Sequence, residues 1–360
     1  MSSKLFFLLS GEHATLPAAE VLAVLGSEDF AYDNIRLHPK LLTLEAKPDC
    51  LQTIAERAGM CEAAGQLIFS CIDGQDKIVK AASEVSFSQY LKTRGKFSVR
   101  INRVFGSSRH LNKIQLQSEI GKIILSSVAK SKVDLQKPES EFVGIISGKR
   151  FALGLITAKR SDDTFALRRP DRRPVTHPST LKPRMARCFV NLSRAKKGEF
   201  LIDPFCGTGG ILIEGGVMGC RIVGLDLDQV MIRRALRNTQ YFGIKPDGLI
   251  VADAKSAPYS RVRSIATDPP YGRGSSTMGS DLTRLLKEFL KEMTSILLED
   301  GFACLASPIS IDIRELGQEA GLSLVESHVA RVHRSLSRRI VVFSRRIAKL
   351  GEGMPWSSYS

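Results

Sequence analysis

Apolar positions in the first 160 residues fall into short blocks whose spacing switches between two and about 3.6 residues. Leu5–Ser10 reads as a strand, Leu16–Gly26 as an amphipathic helix and Leu41–Ala46 as another strand. Cys50–Ala58 has helical spacing and Gly65–Ile72 returns to a strand. The order suggests β-α-β-β-α-β, the grammar of a ferredoxin-like unit. A second unit follows, with Ile78–Ser83 as a short helix and Lys96–Val104 as a strand. Leu116–Ala129 is a helix whose apolar face carries Ile120, Ile123, Ile124 and Val128. After Val133-Asp134-Leu135, the strands Phe142–Ile146 and Arg150–Ile156 form a hairpin through Ser147-Gly148-Lys149.

Ser161–Thr176 breaks the pattern. It is polar, contains Arg168-Arg169-Pro170-Asp171-Arg172-Arg173-Pro174, and reads as a linker. From Pro178 the units lengthen. Leu181–Leu192 is a helix, Glu199–Asp203 a strand, Ile211–Met218 a helix, Arg221–Asp226 a strand and Val230–Phe242 a helix. Leu249–Val251 and Arg263–Thr267 are strands, Leu282–Leu298 a helix, Gly301–Ala306 a strand and Ile311–Ala320 a helix. Leu322–His333 and Arg338–Ser344 close the series as two strands. Strands alternating with helices predict an α/β, doubly wound and mainly parallel sheet, here with an antiparallel edge. The expected division is 1–75, 76–160, a linker at 161–176, the α/β domain at 177–350 and a tail at 351–360.

Composition narrows the class. The 360 residues are 43% hydrophobic, and no run approaches the 18 or so apolar residues of a membrane span. Leu5–Leu9 is too short for a signal-peptide core and Glu12 follows closely, so a cytoplasmic protein is expected. Cysteines 50, 61, 71, 188, 206, 220 and 304 are scattered without a CxxC pair, and the six histidines share no ligand spacing. Reduced core thiols and no metal are expected. The net charge of +15 is unevenly placed. Residues 77–132 hold twelve Lys/Arg against Glu84 and Glu119, residues 168–197 ten against Asp171, and residues 327–351 seven against none. One-sided tracts favour a polyanionic partner.

Asp268-Pro269-Pro270-Tyr271-Gly272 follows the apolar run Ser264–Thr267, at a strand end where open α/β sheets bind ligands. Its residue types suit a flat ring bearing an amine. The prolines offer carbonyls with no competing N–H, Asp268 is a further acceptor, and Tyr271 is a stacking face. Upstream, Glu199–Asp203 leads into Pro204-Phe205-Cys206-Gly207-Thr208-Gly209-Gly210, a glycine turn entering a helix. It is neither GxGxxG nor a P-loop. Asp226 ends the next strand 23 residues after Asp203, where a carboxylate can bond ribose hydroxyls. Asp253 ends the third strand and could accept from an adenine amine; Asp268 ends the fourth. An amino group, a ribose and an adenine together describe S-adenosylmethionine.

The N-terminal half resembles the THUMP module of RNA-modifying enzymes behind a ferredoxin-like domain, on Lys96–Arg100, Gln117–Gly121 and Val133–Glu139 with the closing hairpin. The C-terminal half closely resembles class I (Rossmann-like) methyltransferases that act on exocyclic amines. Within them it is similar to archaeal THUMP-containing tRNA (guanine-N2)-methyltransferases of guanosine 10, on His177–Arg187, Asp203–Gly210 and Thr267–Gly272. The resemblance implies that His177, Pro178, Ser179, Thr180 and Leu181 close over the methionine of the cofactor. It implies that Asp203, Pro204, Phe205, Cys206, Gly207, Thr208 and Gly209 hold its amino acid part. Asp226 and Leu227 would take the ribose side and Asp253 and Ala254 the adenine, with Asp268 touching both cofactor and base. Asp268, Pro269, Pro270 and Tyr271 are then catalytic. The basic residues Lys92, Arg94, Lys96, Arg100, Arg103, Arg109 and Lys113 would grip tRNA, and a monomer without obligatory protein partner is expected.

Rival readings stay in view. Adenine N6 methylation of DNA uses the same tetrapeptide but does not call for the N-terminal half. Pyrimidine C5 methylation needs a nucleophilic cysteine, for which only Cys206 is placed. A guanosine-6 enzyme shares the domain pairing, and a non-catalytic tRNA-binding module would not need acids at all four strand ends.

Overall fold

The computed structural model describes residues 2–178, 180–256, 258, 261–270, 276–333 and 336–346. Chain contacts divide it into two units. The first comprises Met1–Ala14, Phe30–Glu56 and Cys61–Arg160, the second Thr15–Asp29, Arg57–Met60 and everything from Ser161 onward. In chain order the elements up to Arg160 are β1 (Ser3–Leu9), α1 (Leu16–Ser27), β2 (Tyr32–His38), β3 (Leu41–Ala46), α2 (Cys50–Arg57) and β4 (Cys61–Ile72), followed by α3 (Gln75–Ser83), β5 (Lys96–Arg103), α4 (Lys113–Ser127), β6 (Lys132–Val133), β7 (Ser140–Ser147) and β8 (Arg150–Lys159).

The first unit is built on one eight-stranded sheet, ordered β2-β3-β1-β4-β8-β7-β5-β6. Its first four strands are antiparallel in the ferredoxin-like order. β4 joins them to the rest by pairing antiparallel with β8 from Ala63↔Lys159 to Ile72↔Arg150. That junction depends on Gly65, because a Cβ there would stand 1.9 Å from the Leu155 carbonyl oxygen. The core under β5, β7 and β8 gathers Phe87, Phe97, Ile101, Phe142 and Phe151 with Leu116, Ile120 and Ile124 from one face of α4. Asn112 caps α4 by accepting from the N–H groups of Ile114 and Gln115.

The second unit continues with α5 (Asp162–Leu167), α6 (Pro183–Leu192), β9 (Phe200–Asp203), α7 (Gly210–Val217), β10 (Arg221–Asp226), α8 (Gln229–Tyr241), β11 (Gly248–Val251) and β12 (Val262–Thr267), then α9 (Ser276–Ile296), β13 (Leu297–Pro308), α10 (Ile313–Glu319), β14 (Ser323–His333) and β15 (Leu336–Ser344). Its seven strands run β11-β10-β9-β12-β13-β15-β14. The first five are parallel, and β13-β15-β14 form the antiparallel edge. This is the doubly wound sheet the pattern predicts.

Several expectations change in detail. β2 has no apolar block of its own, since every residue in it is exposed or half-buried. α1 is buried on nearly every residue from Leu16 to Ser27 rather than along one stripe, which makes it an interior helix. It belongs to the second unit, where buried Glu20 accepts from Gly59 N at 2.9 Å, Met60 N at 2.7 Å and Asn191 Nδ2 at 2.8 Å. Burial holds the Glu20 carboxyl above the usual carboxylate range despite these donors. α9 ends at Ile296 and β13 begins at Leu297, so Leu297 and Leu298 are strand rather than helix.

Candidate active site

Two strands set the centre of the site. β9 and β12 pair in parallel, Ser264↔Leu201 and Ile265↔Ile202. Their last residues, Asp203 and Thr267, therefore emerge side by side. Asp203 is 2% exposed. Its Oδ1 accepts from Thr267 Oγ1 at 2.6 Å and from Phe205 N–H at 3.2 Å. Burial pushes this carboxyl up to about 7, the two donors oppose the shift, and the charges of Asp268 and Asp226 add to it. A carboxylate so placed has little to stabilise its charge until a cation arrives.

The turn from β9 into α7 needs glycine twice, since Gly207 has φ 50° and Gly209 φ 81°, both left-handed. Cys206 N–H donates to Leu225 O and Gly209 N–H to Cys206 O, each at 2.8 Å, so the loop is closed on itself and tied to β10. Asp226 supports it from the next strand: Oδ2 accepts from Gly207 N–H and Oδ1 from Asp228 N–H, both at 2.9 Å. Leu227 beside it is 66% exposed. At the end of β11, Asp253 Oδ1 accepts from Lys255 N–H at 2.9 Å, and Ala254 turns its methyl into the core. Pro204 is buried, Phe205 packs edge-on against Phe289 at 5.1 Å, and Cys206 is 4% exposed. Burial pushes the Cys206 thiol well up, the setting of a packing residue rather than of an activated thiolate.

The segment before α6 is fastened to this loop. Thr180 Oγ1 lies 3.0 Å from Thr208 Oγ1. Asn238 of α8 exchanges hydrogen bonds with both backbone groups of Val175 and donates to Thr208 O at 2.9 Å. His177 and Leu181 are half-buried and Pro178 is exposed. Ser179 lies outside the described residues.

At the end of β12, Asp268 is half-buried and its Oδ2 accepts from Arg338 Nη1 of β15 at 2.7 Å. Pro269 is buried and Pro270 exposed, while Tyr271 lies outside the described residues. Strand order thus brings Asp203, Asp226, Asp253 and Asp268 to the same end of four neighbouring strands. Pattern reading missed Thr267, Asn238, Arg338 and the buried charges described next. Only the threonine had a sequence signal, its place immediately before Asp268.

The basic tract 168–197 is only partly surface: Arg169, Arg172, Lys182 and Lys197 are exposed, but three of its arginines are not. Arg168, Arg173 and Arg187 are 7%, 6% and 3% exposed. Arg168 makes a two-pronged ion pair with the fully buried Glu214 of α7, at 2.7 and 3.0 Å, and Arg187 reaches the same carboxylate at 3.0 Å. By contrast Lys92, Arg94, Lys96, Arg100, Arg109 and Lys113 are exposed on the first unit, and Arg103 is half-buried, donating to Leu111 O. Among the described residues no His/Cys/Asp/Glu cluster could hold a metal, and no helix is long and apolar enough to cross a membrane.

Comparison with known proteins agrees with this geometry. Residues 170–340 match the RMKL-like methyltransferase domain and residues 75–155 the THUMP domain. The chain is 37% identical to the tRNA (guanine(10)-N2)-dimethyltransferase of Methanothermobacter thermautotrophicus, across 95% of its own length and 99% of the relative. The chain belongs to that THUMP-bearing methyltransferase family. The enzyme of the same name from Pyrococcus abyssi is 34% identical over 81% of this chain and 86% of the relative. TrmN from Thermus thermophilus shares the fold, with a TM-score of 0.55 at 17% identity over 95% and 99% of the two chains. The cofactor of this family is S-adenosylmethionine, and the residues present fit it. Left-handed glycines expose backbone, a buried carboxyl awaits a cation, and Asp226 and Asp253 offer acceptors further along the sheet edge.

Proposed function

We propose that the protein methylates the exocyclic N2 amine of guanosine in tRNA, at position 10. One observation carries the reading: Asp268 and its two prolines leave β12 directly beside the loop built on Asp203 and Gly207–Gly209. The relatives that cover most of the chain bear names with this substrate and position, and they are called dimethyltransferases.

Guanine's amine is a weak nucleophile because its lone pair is conjugated into the ring. The cofactor, when bound, supplies an already electrophilic sulfonium methyl group. The chain's task is therefore to bind and aim. The target base leaves its stack, Tyr271 supplies the face it rests on, and Asp268 with the Pro269 carbonyl accepts the two amine hydrogens. The contact from Arg338 keeps the Asp268 carboxylate from swinging away. Asp268 also takes the proton shed after transfer. Asp203 meets the cofactor's ammonium, the Gly207 and Gly209 backbone lies along its amino acid part, and Asp226 with Leu227 takes the ribose. Asp253 and Ala254 take the adenine, and His177–Leu181 covers the methionine. A hydrogen remains on nitrogen after one transfer, so a second methylation to N2,N2-dimethylguanosine would proceed with one of the two acceptors engaged and the first methyl group turned toward the other.

The exposed basic residues 92–113 of the first unit hold the tRNA. The working domains are 1–75, 76–160 and 177–350 joined by 161–176, in a cytoplasmic monomer without obligatory protein partner. The test is mass spectrometry of nucleosides from tRNA incubated with protein and cofactor. Methylated N2-guanosine is expected, lost when guanosine 10 is replaced and kept when guanosine 6 is replaced. The opposite pattern would move the site to guanosine 6, and methyl groups on a ring carbon or ribose would end the reading.

A further inference from the structure

The start of α7 carries an imbalance that the cofactor roles above leave unexplained. Three guanidinium groups, of Arg168, Arg173 and Arg187, are buried around Glu214, and the one other buried carboxylate felt there is Glu20, beside Arg187. Arg168 and Arg187 bond Glu214 directly. Arg173 does not. Its Nε donates to Arg168 O at 2.9 Å, but Nη1 and Nη2 are buried without any hydrogen-bond partner. An orphaned donor inside a protein is costly, and an orphaned charged donor more so. The fork has a definite address, since a Cβ on Gly210, the first residue of α7, would sit 3.5 Å from Arg173 Nη1 and 3.7 Å from Thr180 Cγ2.

The helix end points the same way. α7 opens at Gly209 with no side chain capping it. The first N–H groups of a helix have no partner within it, and they sum to a partial positive charge. Unpaired N–H groups, an unpaired guanidinium and excess buried positive charge thus meet at Gly210. Each is made good by the same thing, a small anion.

Resting on the S-adenosylmethionine reading of this site, we infer that Arg173 and the N-terminus of α7 bind the α-carboxylate of the cofactor's methionine. This divides the amino acid part between two groups of opposite sign. Asp203 takes the ammonium, and Arg173 takes the carboxylate attached to the same carbon. The division also gives a reason why the polar segment before Pro178 is buried at Arg173 rather than solvated.

The test compares S-adenosylmethionine with its decarboxylated analogue, which keeps the adenosine, sulfonium and amine. Calorimetry on the full-length wild type should show the carboxylate form binding about 10- to 100-fold more tightly, the range for hydrogen bonds to a charged group. Arg173→Gln should bring the two affinities together, mainly by loss on the carboxylate form, while leaving the melting temperature of the ligand-free protein unchanged or higher. Arg173→Lys, which keeps the charge without the fork, should fall between. Equal affinity of the wild type for both ligands would overturn the inference, even if no variant folds. So would a loss in Arg173→Gln that is the same for both, which would make Arg173 a structural partner of Glu214. Failure of the wild type to bind either ligand would instead count against the cofactor reading itself.

Discussion

The two units use charge in opposite ways. Among the described residues, the interior of the first unit is apolar apart from a few serines, and Arg160 is its single buried ionic side chain. Its other arginines and lysines are exposed or half-buried. The second unit buries Glu20, Arg168, Arg173, Arg187, Asp203, Glu214, Glu326 and His328. A surface charge attracts a polyanion without demanding a fixed geometry. A buried charge is tolerated only where geometry is held, because each ion out of water needs partners. The contrast teaches that a basic composition can mean two things, and here it means both: exposed charge on one unit, buried charge held in fixed geometry in the other.

The comparison can be broken most severely at Glu214. Glu214→Ala removes the carboxylate shared by Arg168 and Arg187 and should destabilise the protein by about 3–5 kcal/mol, the range for breaking a buried ion pair. Urea unfolding measures it, and a change below about 1 kcal/mol would mean the buried cluster is not structural. Asp268→Ala should lower turnover about 100- to 1,000-fold, as removing one well-placed hydrogen-bond partner of a transition state does. The tRNA affinity, read by filter binding, should hardly change if the exposed basic residues hold the tRNA as proposed. Near-normal turnover would remove Asp268 from the chemistry.

Asp203 gives a pH test. Its folded value of about 7 lies above the ordinary 3.8, so between these the folded chain keeps a proton that the unfolded chain has released. Stability contributed by that proton is complete below the unfolded value and is lost as pH rises through about 7. Asp203→Asn should therefore melt higher than the wild type at pH 8, by on the order of a few kcal/mol in stability, yet bind the cofactor worse. A variant that melts lower at pH 8 would show that Asp203 is held as an ion. The smallest effects belong to the first unit. Neutralising Arg94 or Lys113 should reduce the salt dependence of tRNA binding by about one unit of slope each, with stability within about 0.5 kcal/mol.

The parallel order of β9 to β13, the glycine turn and the four strand-ending acids were legible in sequence because each rests on a local rule. Alternation marks a strand, left-handed backbone selects glycine, and open sheets bind ligands where parallel strands end. The same rules failed at α1 and at residues 168–173. A helix of apolar residues with one glutamate looks like a surface helix with a polar stripe until Gly59, Met60 and Asn191 close around Glu20. In the run of arginines, Arg168 and Arg173 look as solvated as Arg169 and Arg172 until Glu214 is found beside them.

By itself, then, the chain's order of residues determined the alternating units, the turn at Gly207–Gly209 and the chemistry available at Asp268-Pro269-Pro270. Those depend on neighbours a few positions away, whose influence is steric or carried by backbone hydrogen bonds. Only the tertiary structure decided which charges face water. Glu214 stands 46 residues from Arg168, and Asp268 stands 70 from Arg338. The energy of a buried charge depends on what surrounds it in space, and no local pattern encodes that.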